Sequence, residues 1–327
     1  MDATLSDLQE RIEAADTIVI ASHDRPDGDA IGSSLALGLI LERLGKSVSI
    51  VNRDPVPESL AFLPGSGKIR PLKEPVSADL LIVLDAAGQD RIGKDFWDFV
   101  AAIPVTANLD HHISNTRFGD LVHVDAEAPA TGQLVFELAR HSGWPLDADI
   151  GENLLAAIST DTGSFRYPST TSRTMRIAGE IFDLGVDVGR VNQLLYESFP
   201  LRRVEALQQL LQGMRLQFGG RCASVTLPLS VTRKLGLQTG DTEGVIDVIR
   251  AIDTVQVAVF FEELPDGKIR VSSRAKDARY SVGAICAVFG GGGHTLAAGA
   301  RLAGPLDVAE ERFLEAVGKA LNSNGSA

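Results

Sequence analysis

The first two-thirds of the chain alternates short apolar runs with longer amphipathic stretches, the pattern of strands separated by helices. Leu5, Leu8 and Ile12 recur at helical spacing over Thr4–Ala15, and the β-branched run Thr17-Ile18-Val19-Ile20 reads as a buried strand. A polar loop, His23–Asp29, precedes a helix predicted from Ala30 to Leu44, with Asp29 placed to cap it and Gly45 to close it. Further strands are predicted over Ser47–Val51, Asp79–Leu84 and Ile103–Leu109, and helices over Thr131–His141, Asp149–Ser159 and Thr171–Leu184. Strands joined through helices take right-handed crossovers, so these elements predict a parallel sheet covered on both faces.

The rhythm changes near residue 190. Arg202–Met214 reads as a polar-faced helix without a strand partner, a connector. Beyond it Arg221–Leu227, Val255–Glu263 and Lys268–Ser273 read as strands, the last two joined by the hairpin signal Leu264-Pro265-Asp266-Gly267. Helices are expected over Thr242–Ala251, Ser281–Phe289 and Leu306–Leu321, and the tail Asn322–Ala327 is expected to fray. The fold class is therefore α/β: a parallel-sheet domain over residues 1–194, a helical connector over 195–215 and a smaller α/β domain over 216–327.

Composition narrows the function. With 44% hydrophobic and 23% charged residues, the 327-residue chain has the profile of a globular protein long enough for two cores. The 31 basic and 43 acidic side chains leave a net charge of −12, which argues against wrapping long duplex DNA. Two cysteines exclude a disulfide framework and a cysteine-rich zinc site. No apolar run is long enough to span a membrane, and the acidic amphipathic start is unlike a signal peptide; the expected location is cytoplasmic.

Ligands of parallel α/β sheets bind beyond the carboxyl ends of the strands. That is where the unusual polar residues fall. Ile18–Ser22 runs into His23-Asp24-Arg25-Pro26-Asp27-Gly28-Asp29, Leu80–Leu84 into Asp85, Val105–Leu109 into Asp110-His111-His112, and the apolar Leu154–Ile158 into Thr160-Asp161-Thr162-Gly163. Taken singly, PDGD is a turn with a helix cap and Asp85 a strand-end residue. Taken together, carboxylates gathered at one sheet edge repel unless cations neutralise them. Oxygen ligands with few imidazoles and no thiolate suit manganese or magnesium, and a set this large suits a pair of ions about 3.5–4 Å apart. His123 and His141 lie in a strand-like run and at a helix end and are read as structural.

The ordered motifs resemble the DHH phosphoesterase family, and within it the compact NrnA-like members that act on short oligoribonucleotides and on 3′-phosphoadenosine 5′-phosphate (pAp). The match comprises His23-x-x-Pro26-Asp27-Gly28-Asp29-Ala30-x-Gly32-Ser33, Asp85, Asp110-His111-His112-x-x-Asn115 and Thr160-Asp161-Thr162-Gly163-x-Phe165. Near the C-terminus Gly290-Gly291-Gly292-Gly293-His294-x-x-Ala297-Ala298-Gly299 resembles the family's DHH-associated substrate domain. The resemblance implies that His23, Asp27 and Asp85 hold one manganese ion and Asp29, Asp85, His111 and Asp161 a second, with Asp85 bridging; magnesium or cobalt are possible substitutes. Water activated between the ions would attack phosphorus in line. Asp110 is expected to orient an imidazole, and His112 to contact the scissile phosphate or protonate the leaving oxygen.

The glycines before His294 let a backbone approach a ligand, and the small residues Ala297, Ala298 and Gly299 permit tight packing of a following helix. Arg274, after a predicted strand, is suited to grip a phosphate bidentately. The resemblance makes Arg274, Gly291, Gly292, Gly293 and His294 the substrate-binding set, holding the nucleotide end distal to the cut. Thr242-Glu243-Gly244 also resembles a family motif, although a helix cap accounts for it more simply. Partners are short RNA or a nucleotide phosphoester, with a homodimer possible. The alternatives are a cyclic di-AMP or pApA phosphodiesterase, a RecJ-type single-strand exonuclease, which usually needs a further nucleic-acid domain, and a family II pyrophosphatase, which lacks GGGH. A non-catalytic nucleotide sensor would require eroded ligands.

Overall fold

In the computed structural model, residues 2–238, 240–242 and 244–323 are described. The chain divides into two units, Met1–Ser198 and Phe199–Ala327. The sheet of the first unit is built from β1 (Thr17–Ala21), β2 (Ser47–Asn52), β3 (Arg70–Pro71), β4 (Leu80–Leu84), β5 (Thr106–Asp110) and β6 (Leu121–Val124). Its order is β3-β2-β1-β4-β5-β6, and every pairing is parallel. The order reverses between β1 and β4, and a crevice opens at such a reversal because successive crossovers leave on opposite sides.

Both faces of this sheet are covered. On one side α1 (Leu5–Ala14), α2 (Gly28–Arg43), α5 (Thr131–Ser142) and α6 (Ala148–Asp161) share a core with Ile18, Ile20, Leu80 and Ile82. On the other, Val19, Ala21, Leu81 and Val83 pack with Ile92 of α3 (Gln89–Ile92) and Phe96 and Val100 of α4 (Lys94–Val100). Helix α2 is apolar all round and buried along most of its length, since it lies between the sheet and its neighbouring helices. A Cβ at Gly32 would stand 2.5 Å from Asn153 O, so only glycine lets α2 and α6 approach this closely. Helices α7 (Ser172–Asp183) and α8 (Val188–Tyr196) complete the unit.

The cap at the start of α2 is Asp27, whose carboxylate accepts from Asp29 N and Ala30 N, and not Asp29 as the sequence pattern suggests. Asp29 is instead wholly buried in the first turn. His123 and His141 have structural partners, His123 Nδ1 lying 2.9 Å from Ala3 O and His141 Nε2 3.0 Å from Ser6 Oγ.

The second unit begins with α9 (Leu201–Gln212), the helix expected as a connector. Its Leu210 is buried in a cluster with Ala223, Val225 and Phe260, so it contributes to the core of this unit. The mixed sheet runs β11-β12-β10-β9-β8-β7, where β7 is Arg215–Gln217, β8 Cys222–Leu227, β9 Val257–Glu263, β10 Lys268–Ala275, β11 Gly292–Gly293 and β12 Ala297–Ala303. Strands β8 and β9 pair in parallel and the remaining neighbours antiparallel. Helices α10 (Leu229–Leu235), α11 (Val245–Arg250), α12 (Val282–Ala287) and α13 (Leu306–Ser323) cover it.

Two sequence expectations change here. The small residues from Ala297 form strand β12 rather than leading into a helix, because Ala298, Ala300 and Leu302 alternate into the core at period two. The helix expected from Thr242 starts at Val245 behind a left-handed Gly244, while Glu243 and the tail 324–327 lie outside the described residues. No helix among the described residues is long and apolar enough to cross a membrane.

Candidate active site

The carboxyl ends of β1, β4 and β5 and the last turn of α6 deliver His23, Asp85, Asp110 to His112, and Asp161 to one edge of the first sheet. His23 follows β1 and is nearly buried; its Nδ1 lies 2.8 Å from Asp24 O. That leaves Nε2 facing Asp27 Oδ1 at 3.7 Å and Asp85 Oδ2 at 3.4 Å. His111 is arranged in the same way: Nδ1 lies 3.3 Å from Ala128 O, while Nε2 faces Asp161 Oδ2 at 3.3 Å, Asp85 Oδ1 at 3.4 Å and Asp29 Oδ2 at 3.8 Å. The two oxygens of Asp85 thus point to different imidazoles.

Asp85 holds this place in a left-handed backbone conformation, φ +54°, which is uncommon outside glycine, although asparagine and aspartate adopt it more readily than other residues. Its main-chain N–H donates to Leu109 O, and Thr131 Oγ1 donates to its Oδ1 at 3.2 Å. Strain of this kind concentrates at functional sites, where the surroundings over-determine the conformation.

Asp29 shows why the loop after β1 is built as it is. Its carboxylate accepts from Thr131 N at 2.6 Å and Gly132 N at 2.8 Å, the first free amides of α5. Anions are favoured at helix N-termini because those amides have no partner within the helix. Gly28 completes the fit: a Cβ there would come within 2.3 Å of Thr160 Oγ1, next to Asp161. Thr131, Gly132 and the contact between Gly28 and Thr160 escaped the reading of the sequence; only the glycine inside an acidic loop signals them.

Crowding shifts the ionisation of these groups in opposite directions. Burial and the charges of Asp85 and Asp161 hold the Asp29 carboxyl well above its ordinary range. Burial, with Asp27 and Asp85 nearby, pushes Asp161 up to about 7 against the pull of His111. At Asp85 burial is outweighed by His111 and His23, which hold it well below the ordinary value. Burial disfavours the imidazolium forms of His23 and His111, yet the facing carboxylates raise both pKa values well above the usual range.

A set of buried carboxylates with opposed shifts is relieved by a cation more simply than by protons. Among the described residues three groups have donor atoms within 4.8 Å of one another: His23, Asp27 and Asp85; Asp29, His111 and Asp161; and Asp85, His111 and His112. Oxygen and imidazole donors without thiolate fit a divalent ion. The residues present therefore fit a metal centre, with Asp85 shared between groups. Asp110 is fully buried, and its Oδ1 lies 2.7 Å from His112 Nδ1.

The residues predicted to hold substrate lie in the second unit and also come together. Arg274 on β10 pairs in register with Ala297 of β12, Gly293 of β11 pairs with Ala298, and His294 N donates to Ala297 O. The glycines have different work. A Cβ on Gly291 would lie 2.2 Å from Gly299 O and one on Gly293 2.6 Å from Ala297 O, whereas nothing lies within 4 Å of one on Gly292. Gly291 and Gly293 let the chain pack on β12, whereas Gly292 stands open.

Residues 17–158 match the profile described as DHH family, N-terminal domain, and residues 224–323 that of the DHHA1 domain. The bifunctional oligoribonuclease and PAP phosphatase NrnA of Thermus thermophilus is 36% identical over 313 residues, covering 94% of this chain and 91% of that protein. The cyclic-di-AMP phosphodiesterase PdeA of Listeria monocytogenes is 27% identical over 313 residues, 88% of this chain and 45% of that protein. A solved structure, an exopolyphosphatase-related protein from Bacteroides fragilis, aligns with a TM-score of 0.89 at 28% identity, over 98% of this chain and 97% of that one. With its imidazoles and carboxylates disposed around Asp85 and both family domains present, the chain belongs to the DHH phosphoesterase family and is a hydrolase acting on phosphoester bonds.

Proposed function

We propose that the protein hydrolyses short oligoribonucleotides to mononucleotides and converts pAp to AMP, with manganese as its cation. The observation that carries the reading is the split carboxylate of Asp85, one oxygen 3.4 Å from His23 and the other 3.4 Å from His111. On this reading His23, Asp27 and Asp85 would hold one ion, and Asp29, Asp85, His111 and Asp161 the other. Divalent ions there would supply Lewis-acid stabilisation of phosphoryl charge and make water a stronger nucleophile at neutral pH. The choice of substrate is supported by the similarity to the Thermus thermophilus enzyme across nearly the whole chain.

The protein's own groups divide the remaining work. Asp110 fixes the ring of His112, which serves the leaving oxygen as proton donor. Burial opposes the charged imidazole, but the bond to Asp110 and the charge of Asp85 raise its pKa above the ordinary value, which suits that task. Arg274, Gly292 and His294 would engage the part of the substrate away from the cut, through a charge-assisted bond and open backbone. Gly291 and Gly293 would shape that loop.

A product assay tests the reading. pAp, a dinucleotide, a pentanucleotide, a twenty-nucleotide RNA and cyclic di-AMP are each incubated with manganese and with chelator. Turnover of pAp and the shortest RNAs, lost with chelator, is the expected result. Preference for the twenty-nucleotide RNA or for cyclic di-AMP would replace this substrate with another.

A further inference from the structure

Two asparagines connect the main chain beside Asp85 to the ring of His112 through hydrogen bonds whose directions are set at both ends. Asn108 is fully buried on β5, opposite Val83 of β4. Its Nδ2 donates to Val83 O and to Ala86 O, each at 3.3 Å. Turned the other way, its Oδ1 would face two carbonyl oxygens, so Oδ1 is directed to Asn115 as an acceptor. Asn115 Nδ2 donates to that oxygen at 2.8 Å and to Asp110 Oδ2 at 2.6 Å. Asn115 is fixed independently, because Arg117 N donates to its Oδ1 at 2.6 Å. The two short bonds take both amide hydrogens of Asn115. Asp110 is then held by one oxygen, and the other faces His112 Nδ1 at 2.7 Å.

We infer that Asn108 and Asn115 are positioning residues for protonation of the leaving group: through Asp110 they hold His112 by its Nδ1–H and so orient the ring whose Nε2–H serves the leaving oxygen. The side-chain bonds of both asparagines run to the main chain, to each other and to Asp110, not to the carboxylates and imidazoles placed to hold a cation. The inference rests on the hydrolysis proposed above and names the residues that serve its final proton transfer. In that step water adds its oxygen to phosphorus, the P–O bond to the leaving nucleoside breaks, and the leaving oxygen takes the proton of His112 Nε2–H. The proton lost by the water restores Nε2–H. A polar side chain within the buried strand Thr106–Asp110 is costly unless its amide is satisfied, and here its side-chain bonds run to the main chain on either side of Asp85 and to Asn115.

The test uses a leaving group that needs no proton. Turnover of 5′-phosphorylated diadenylate, whose leaving oxygen is a poor one, is compared with that of thymidine 5′-monophosphate p-nitrophenyl ester, whose phenolate leaves unaided. In the full-length manganese-loaded enzyme, Asn115→Ala is expected to lower the ratio of kcat on the dinucleotide to kcat on the aryl ester about 30-fold, a part of the roughly 10²–10⁴-fold that a positioned acid contributes. Asn108→Ala should move it in the same direction. Added to His112→Ala, Asn115→Ala should lower the ratio no further, because residues acting through one group are not additive. Equal losses on both esters, or an additive loss in the double variant, would overturn the inference. Wild-type enzyme inactive on both esters would instead remove the proposed function on which it stands, a distinct result.

Discussion

At the edge of the first sheet Asp29, Asp85 and His23 are buried and His111 is mostly so, and the surroundings draw the ionisation of each away from the ordinary value. At the edge of the second sheet Arg274 stands between Ala258 and Ala297 in register, and His294 is exposed on a loop of glycines. One region concentrates charge that the protein alone leaves in conflict; the other sets a half-buried arginine on small neighbours. Conflict of the first kind is relieved by a bound cation, and the open arrangement suits an anion that arrives and departs. The largest effects should follow from breaking the first region.

Replacing Asp85 with Asn keeps the shape and a residue tolerant of positive φ while removing the shared charge. Turnover of pAp should fall about 1,000-fold or more, equivalent to ~4 kcal/mol of transition-state stabilisation. Far-UV circular dichroism should be unchanged. A variant within about three-fold of wild type would show that Asp85 is not the shared ligand.

Removing the cation should invert the pH dependence of stability. Without metal, Asp29 and Asp161 have raised pKa values, so what they contribute at low pH is lost as pH rises through about 7 for Asp161. His23 and His111 act with the same sign, since their contribution is complete below the unfolded pKa and lost as pH climbs through their raised folded values. Asp85, held low, contributes above its unfolded value and loses that only in acid. Chelated protein should therefore lose stability between pH 5 and 8. Manganese-loaded protein should gain over the same window, because deprotonated ligands bind the ion more tightly. At a hundred-fold excess over Kd the metal adds ~2.7 kcal/mol. Trp97 and Trp144 are the two tryptophans and both lie in the first unit, so their fluorescence in thermal melts reads this directly.

The same contrast explains what the sequence made legible. Strands β1, β4 and β5 could be read because their apolar runs end abruptly in Asp and His, and in a parallel sheet those ends meet, whereas the two residues of β3 are too few to leave a pattern. Which aspartate caps α2 could not be read, since Asp27 and Asp29 have the same chemistry and the choice depends on α5, about a hundred residues away. Strand β12 was hidden because Ala and Gly offer little contrast between inward and outward positions. The role of the helix over Leu201–Gln212 depended on which of its several apolar residues found a core, and Leu210 is the one buried with Ala223 and Val225. Asn108 carried a usable signal, a lone amide in a buried strand, whose meaning needed its partner Asn115.

The glycine run sharpens the comparison within the second unit. Gly291→Ala drives a methyl against Gly299 O and Ala300 Cα, backbone that cannot step aside, and should cost about 1–3 kcal/mol in urea unfolding. Gly292→Ala meets no atom and should leave stability unchanged. A raised KM in Gly292→Ala at unaltered stability would mark this position as the one where ligand approaches. Equal stability in both variants would contradict the packing assigned to Gly291.

Arg274 gives the smallest and most specific effect. Four residues earlier on the same strand and face, Arg270 is paired with Glu262 through a 2.6 Å contact, whereas Arg274 makes a bond of 3.1 Å to Ser273 O and has no carboxylate partner among the described residues. The difference is informative because both arginines share a strand and both are half-buried. A guanidinium placed over alanines keeps its donors for a ligand, and a charge-assisted bond to phosphate is worth about 1.5–3 kcal/mol. Arg274→Gln should therefore raise KM for a dinucleotide about ten-fold with kcat little changed, the signature of lost ground-state binding. Arg274→Lys should recover only part, since an ammonium cannot reproduce the fork. Arg270→Gln should leave KM alone. An equal rise in KM from both glutamine variants would mean that net positive charge on this face, rather than an unpaired arginine at one position, is what the substrate meets.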